Sequence, residues 1–164
     1  MKILITGVPA TGKSDISKVL GKLHKYKVIN DKEFSIKNNL GNYKTIDSSK
    51  EYIVDLKKLN SKFKEISKDN TIFEGHLWCE LSKSNLKTFD KVIIIKAPKK
   101  LLIERQKKRK YPDIKIIENI FCQDVEYFEN NLNSKGIDFI IVNVNNNLED
   151  NLKKIMVKLK WQKH

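Results

Sequence analysis

The chain has 164 residues, a size that suits one hydrophobic core and excludes two large ones. It is 40 % hydrophobic and 32 % charged, with a formal net charge of +13. Its apolar residues fall in dense blocks, which excludes wholesale disorder, and no run approaches the ~18 apolar residues of a membrane span.

The charge is mostly compositional. Of 33 basic residues only two, Arg105 and Arg109, are arginine, and the lysines are spread along the whole sequence. A solvated lysine-rich surface is the first reading, and a face that contacts RNA is the second. Met1 and Lys2 lead directly into Ile3-Leu4-Ile5-Thr6-Gly7, too short a stretch for a signal peptide. A soluble cytoplasmic protein without a membrane partner is therefore expected. Cys79 and Cys122 lie in separate apolar segments without a CxxC pattern, so reduced, buried thiols are expected.

In chain order, Lys2–Thr6 is the first predicted strand, and its apolar run suits a sheet covered on both faces. Gly12–His24 follows as a helix with Ile16, Val19, Leu20 and Leu23 on one stripe. Lys27–Asn30 is the second strand. Lys37–Ser49, where Asn38, Asn39, Gly41 and Asn42 cluster, is predicted to be the least structured region: a substrate-side flap or a plain surface loop. Asp55–Ser67 is the next helix, with Asp55 well placed near its N-terminus. Thr71–Glu74 and Lys91–Ala97 are the third and fourth strands, and Pro98–Lys110 is a helix with a basic far side. One long helix is predicted over Asp113–Ser134, stopped by Gly136. Strand Asp138–Val144 and helix Leu148–Leu159 end the sequence. This alternation predicts an α/β fold in three layers, with five parallel strands and helices on both faces. No internal boundary is visible, so residues 1–164 are read as one domain.

Gly7-Val8-Pro9-Ala10-Thr11-Gly12-Lys13-Ser14 has the form GxxxxGKS between the first strand and the first helix. That context suits a phosphate cradle, a P-loop. Gly7 and Gly12 let backbone N–H groups converge on phosphate oxygens, and the helix N-terminus adds its positive dipole end. Thr6, Pro9, Ala10 and Thr11 complete the predicted ATP-binding segment. Lys13 is expected to reach the β/γ-phosphates, and Ser14 to offer its hydroxyl to Mg²⁺. Motors, GTPases and small-molecule kinases share such a loop. The late strand runs into Val142-Asn143-Val144-Asn145-Asn146, without the Asn-Lys-x-Asp pattern by which GTPases read their base. The chain is also short for a motor, so a small kinase is the leading class.

The third strand ends in Glu74-Gly75-His76. A carboxylate there suits the second half of a magnesium site, held through water, and His76 is expected at the nucleotide crevice. A buried ion pair and a surface histidine are the alternatives. Arg105 and Arg109 stand four apart on one helix face, and guanidinium is a bidentate fork for phosphate that ammonium cannot match. They are expected to close over ATP and neutralise the transferring phosphoryl group; salt bridging to Glu104 or Glu118 is the alternative.

Together these residues resemble the adenylate-kinase-like family of small archaeal and eukaryotic NTPases linked to maturation of the small ribosomal subunit. The resemblance rests on Ile5-Thr6-Gly7 through Ser14, Tyr52-Ile53-Val54-Asp55-Leu56, Glu74-Gly75-His76-Leu77, Glu104-Arg105 through Arg109-Lys110-Tyr111, and Glu118-Asn119. It implies a monophosphate-binding flap at about 30–55, a lid at about 99–120, and the reaction ATP + AMP = 2 ADP with Mg²⁺ and an accompanying ATPase activity. It further implies catalytic roles for Lys13, His76, Arg105 and Arg109, an adenine-side loop at Asn145 and Asn146, and a small-subunit ribosomal protein and rRNA as partners. Flap arginines usual in adenylate kinases have no counterpart here. Lys50 is the nearest substitute on the acceptor side, and Asp31 and Glu33 either line that side or simply start a helix. An ATP-switched assembly factor, or a kinase for another small acceptor, are the competing readings.

Overall fold

The computed structural model describes residues 1–46 and 49–161. Its centre is a parallel sheet of β1 (Lys2–Thr6), β2 (Lys27–Asn30), β5 (Thr71–Glu74), β6 (Lys91–Lys96) and β7 (Ile140–Asn143), in the order β2-β5-β1-β6-β7. Every strand pairs parallel with its neighbours. The near-continuous apolar runs explain this arrangement, because Ile3, Leu4, Ile5, Ile72, Phe73, Ile93, Ile94 and Ile95 are all buried to within 1 %. The five expected strands are all present.

The helices are α1 (Lys13–His24), α2 (Asp31–Lys37), α3 (Leu56–Ile66), α4 (Lys83–Leu86), α5 (Lys99–Lys108), α6 (Asp113–Asp124), α7 (Tyr127–Ser134) and α8 (Leu148–Leu159). Asp55 caps α3, accepting from Lys57 N and Lys58 N. A short 3-10 turn, Leu77–Glu80, follows β5. Trp78 there is fully buried, packing edge-on to Phe73 and tilted against Phe63, and its indole N–H donates to Ile29 O. That aromatic cluster fixes the turn after β5 to the end of β2.

Two expectations need correction. The region Lys37–Ser49 is not the least structured. Gly41–Ile46 (β3) and Ser49–Val54 (β4) form an antiparallel hairpin, in which Tyr43 faces Tyr52 with the rings edge-on at 5.0 Å. Asp47 and Ser48, also within that region, lie outside the described residues. The asparagines misled because Asn39, at φ 54, turns the chain between α2 and β3 rather than marking a long loop. Likewise, Asp113–Ser134 is two helices. Glu126 takes the left-handed conformation, φ 53, between α6 and α7, which lets Phe128 and Leu132 turn into the core. No helix among the described residues is long and apolar enough to cross a membrane. Cys79 and Cys122 are free thiols; Cys79 is fully buried, and burial pushes its pKa up to about 12, whereas Cys122 is only half-buried.

Candidate active site

The chain leaves β1 at Thr6 and curls through Gly7 to Gly12 into α1. Gly7 has φ 137, and a side chain there would overlap the Ile95 carbonyl of β6, so only glycine lets the loop turn so close to the neighbouring strand. Lys13 opens α1 yet is 7 % exposed, its ammonium donating to Val8 O at 2.8 Å across the loop. Burial lowers its pKa from 10.5 to about 8; Glu74 and Asp31 pull it back up and Arg109 pushes it down. Thr11 Oγ1 also donates to Val8 O, at 3.1 Å, which fixes the far side of the loop.

Beside the loop, Ser14 Oγ donates to Glu74 Oε1 at 3.0 Å, and Asn30 Nδ2 donates to Glu74 Oε2 at 2.6 Å. Glu74 is 4 % exposed, and its carboxylate is aimed by two partners, one in the first turn of α1 and one at the end of β2. A hydroxyl and a carboxylate are hard oxygen donors of the kind Mg²⁺ takes, and magnesium keeps most of its shell as water and substrate phosphate. Ser14 and Glu74 therefore fit that ion. No group of three or more His, Cys, Asp or Glu placed to hold a metal ion is found among the described residues, a pattern compatible with so sparse a protein share.

Asp31, the first residue of α2, is 2 % exposed and accepts from Leu77 N and from Lys32 N, each at 2.6 Å. It thus pins the turn after β5. Gly75, at φ 139, packs on it so tightly that a Cβ would overlap the carboxylate. Burial raises the Asp31 pKa, opposed by the nearby His76. His76 is half-exposed, its Nδ1 4.0 Å from Asp31 Oδ2. Burial lowers the His76 pKa, while Asp31 raises it and Lys13 lowers it further. Lys13, Glu74, His76 and Asp31 thus form one charged cluster at the carboxyl ends of β1 and β5, where open parallel sheets bind ligands.

A cleft of about 340 Å³ opens on the other side of the loop, lined among others by Gly12, Asp15, Arg105, Arg109, Asn146 and Leu148. Arg105, on α5, donates to Ala10 O and Asn145 O at 3.3 Å, with Asn146 Oδ1 at 3.5 Å. Burial and the neighbouring Arg109 lower its pKa, and Asp15 opposes them. Arg109 caps α5 and is exposed at the cleft. The arginines are therefore not equivalent: one ties three segments together, and the other presents its charge to the opening.

The structure thus gathers the loop, Glu74, His76 and Asp31 on one side, and the arginines with Asn145 and Asn146 on the other. Lys50 stands apart on β4, its ammonium 4.9 Å from the centroid of the Tyr43 ring. Glu33 is an exposed first-turn residue whose N–H donates to Asn30, so of its two readings the helix start is the one observed. Sequence reasoning missed Asn30 and Asn151. Asn30 before a helix with Glu33 three residues on is a legible cap, but its reach to Glu74 comes only from strand pairing. Asn151, 4 % exposed, brackets Asn145 with Asn145 N donating to its Oδ1 and its Nδ2 donating to Asn145 O, both at 2.9 Å. A helical asparagine on a buried face was the available signal.

The profile of a family described as "AAA domain" matches residues 3–126. A protein of Methanocaldococcus jannaschii named "Putative adenylate kinase" is 34 % identical over 167 residues, covering 99 % of this chain and 88 % of that protein. The chain belongs to this P-loop kinase family. Another member of the same name, from Thermococcus kodakarensis, is 31 % identical over 127 residues, 77 % of this chain and 66 % of the relative. Among solved structures, a shikimate kinase from Aquifex aeolicus aligns over 98 % of this chain and 96 % of its own, at TM-score 0.59 and 16 % identity. A deoxyadenosine kinase from M. mycoides with bound dATP aligns over 98 % and 100 %, at TM-score 0.62 and 19 % identity. These two share the P-loop kinase fold with the chain, a five-stranded parallel sheet with helices on both sides.

Proposed function

We propose that the chain transfers the terminal phosphoryl group of ATP to AMP, giving two ADP, and hydrolyses ATP slowly when the acceptor is missing. The observation that carries this reading is the hydrogen bond between Ser14 Oγ and Glu74 Oε1 at 3.0 Å, beside buried Lys13 and between the arginine-lined cleft and His76. Donor and acceptor then meet in line across the loop. Positioning and electrostatics do most of the work in such a reaction.

The nucleoside of ATP occupies the cleft at Arg105, Asn146 and Leu148, with its phosphates over Gly7–Ser14 and Lys13 on the terminal oxygens. Magnesium, held at Ser14 and through water at Glu74, would neutralise phosphate charge. Arg109 closes on the transferring group. The monophosphate sits on the side of His76, between a flap formed by residues 30–55 and a lid formed by residues 99–120. Asp31 acts there by shaping the turn that carries His76. Names of relatives support AMP as acceptor. The part in small-subunit rRNA maturation rests on the resemblance alone, and ATP-dependent capture of a purified small-subunit ribosomal protein is its test.

The deciding assay incubates pure protein with magnesium, ATP and each nucleoside monophosphate, and follows ADP. AMP-dependent ADP formation is expected. Arg109→Lys is expected to cut turnover about tenfold or more while ATP affinity changes little, the mark of a contact made in the transition state. ADP production unaffected by millimolar AMP would remove the proposal.

A further inference from the structure

Among the described residues, few bonds of the hairpin's side chains and base reach the rest of the molecule, and β3 and β4 form a two-stranded sheet of their own. Tyr52 Oη donates to Ser35 O at 3.2 Å, and Asp55 N donates to Leu40 O at 2.7 Å at the hairpin's base. Tyr43, Ile46 and Ile53 stay 52 %, 41 % and 39 % exposed. Among the described residues, a charged contact reaches across to the lid: the Glu51 carboxylate on β4 pairs with the Lys115 ammonium in the first turn of α6, 64 residues on.

That partner is not the nearest by sequence or register. Lys44 lies directly opposite Glu51 in the ladder, where cross-strand ion pairs form readily, and Lys50 is its chain neighbour. Lys50 is instead drawn to the Tyr43 ring, and the Glu51 carboxylate takes Lys115. Both members are partly shielded, at 30 % and 38 % exposure, so the pair is less weakened by solvent than a fully exposed one.

From Lys115 the connection continues to the donor side. One turn along α6, Asn119 Nδ2 donates to Gln106 Oε1 at 2.8 Å. Gln106 is fully buried on α5, between Arg105 and Arg109, and its carbonyl accepts from Arg109 N at 3.1 Å and Tyr111 N at 3.1 Å. α6 is thus fastened at one end to the hairpin and along its length to the arginine helix.

We infer that Glu51 and Lys115 form a strap that couples closure of the hairpin over the acceptor to seating of α5 over the donor. They are positioning residues, acting through the hairpin and α6. The inference rests on the phosphoryl-transfer reading above for its catalytic consequence, but its mechanical part stands without it.

The test uses the full chain as wild type, Glu51→Gln, Lys115→Met, and the exchanged pair Glu51→Lys with Lys115→Glu. Hydrogen exchange of residues 41–54 is measured first. Each single variant is expected to exchange about fivefold faster there, with the exchanged pair returning toward wild type, as a contact of this class predicts. Kinetics follow. KM for AMP and KM for ATP are both expected to rise, by about fivefold, in the single variants, because a coupling acts on both sites alike, and hydrolysis without acceptor to grow relative to transfer. Single variants with wild-type hairpin exchange, or an exchanged pair no better than the singles, would overturn the strap. If wild type transfers nothing to AMP, the proposed function falls, and the exchange comparison still decides the strap.

Discussion

Lys13 carries the cost of the site in its own side chain. Its ammonium is buried against Val8 O, and its pKa falls from 10.5 to about 8 mainly because burial penalises the charge. Folded protein therefore holds this proton less tightly than unfolded chain. Below about pH 8 both states are charged, and the folded state bears the full penalty, on the order of 3 kcal/mol as an upper bound. Between about 8 and 10.5 the penalty is relieved, so stability from this group rises with pH. Lys13→Met at pH 7 removes the charge and leaves Val8 O with its bond from Thr11 Oγ1 alone, a loss of about 1 kcal/mol. The nucleotide-free variant is expected to melt a few degrees higher than wild type, while the upward shift that ATP gives wild type disappears. Thermal melts with and without magnesium ATP check both halves, and a lower melting temperature for the nucleotide-free variant would contradict a buried-charge cost. The loop itself was legible in the sequence because its eight residues are consecutive and lie between a strand and a helix. Asn30, the second partner that aims Glu74, was not, since it reaches the carboxylate only through the pairing of β2 with β5.

Elements place these residues, and their periodicity explains which ones the sequence revealed. The central strands β1, β5 and β6 are buried around apolar runs, while β2 and β7 at the sheet's edges are partly exposed. α8 matches its expected bounds, Leu148–Leu159, because its apolar stripe is unbroken. The hairpin has no such signal: β3 is exposed along almost its whole length, so its residues alternate without a buried face to mark them. α6 and α7 share an apolar pattern, and only the left-handed Glu126 separates them. What registers α6 against the sheet is one side chain. Gln123 accepts from Ala97 N at 3.1 Å and donates to Ala97 O at 2.9 Å, bracketing the Ala97 backbone between β6 and α5. Gln123→Ala leaves the N–H and the C=O of Ala97 without their partner and is expected to cost about 2–3 kcal/mol in urea unfolding. Since α5 starts two residues on, at Lys99, ATP affinity is expected to weaken along with stability. A variant as stable as wild type would show that water replaces the amide at no cost.

At the scale of the molecule, sheet order and charge act together. With β1 central and its neighbours reached by crossovers to either side, the loop after β1 lies at the mouth of the crevice, and ligands approach over the carboxyl ends of the strands. The chain brings a net charge of +13 to that approach, and ATP with its magnesium still carries net negative charge. Lysines dispersed over the surface make few specific contacts, but their summed field attracts a polyanion from beyond contact distance. The encounter should therefore be steered, while escape should depend on the local bonds at Lys13, Arg105 and Asn146. Raising salt from about 20 mM to about 500 mM shrinks the screening length from roughly 20 Å to roughly 4 Å. Stopped-flow binding of a fluorescent ATP analogue is expected to show association slowing about tenfold over that range, with dissociation changing far less. Lys108→Gln, which removes one exposed charge at the cleft, should slow association about twofold at low salt and have no effect at high salt. An association rate independent of salt would mean that the lysine surface is silent toward nucleotide, and that the local cluster alone draws it in.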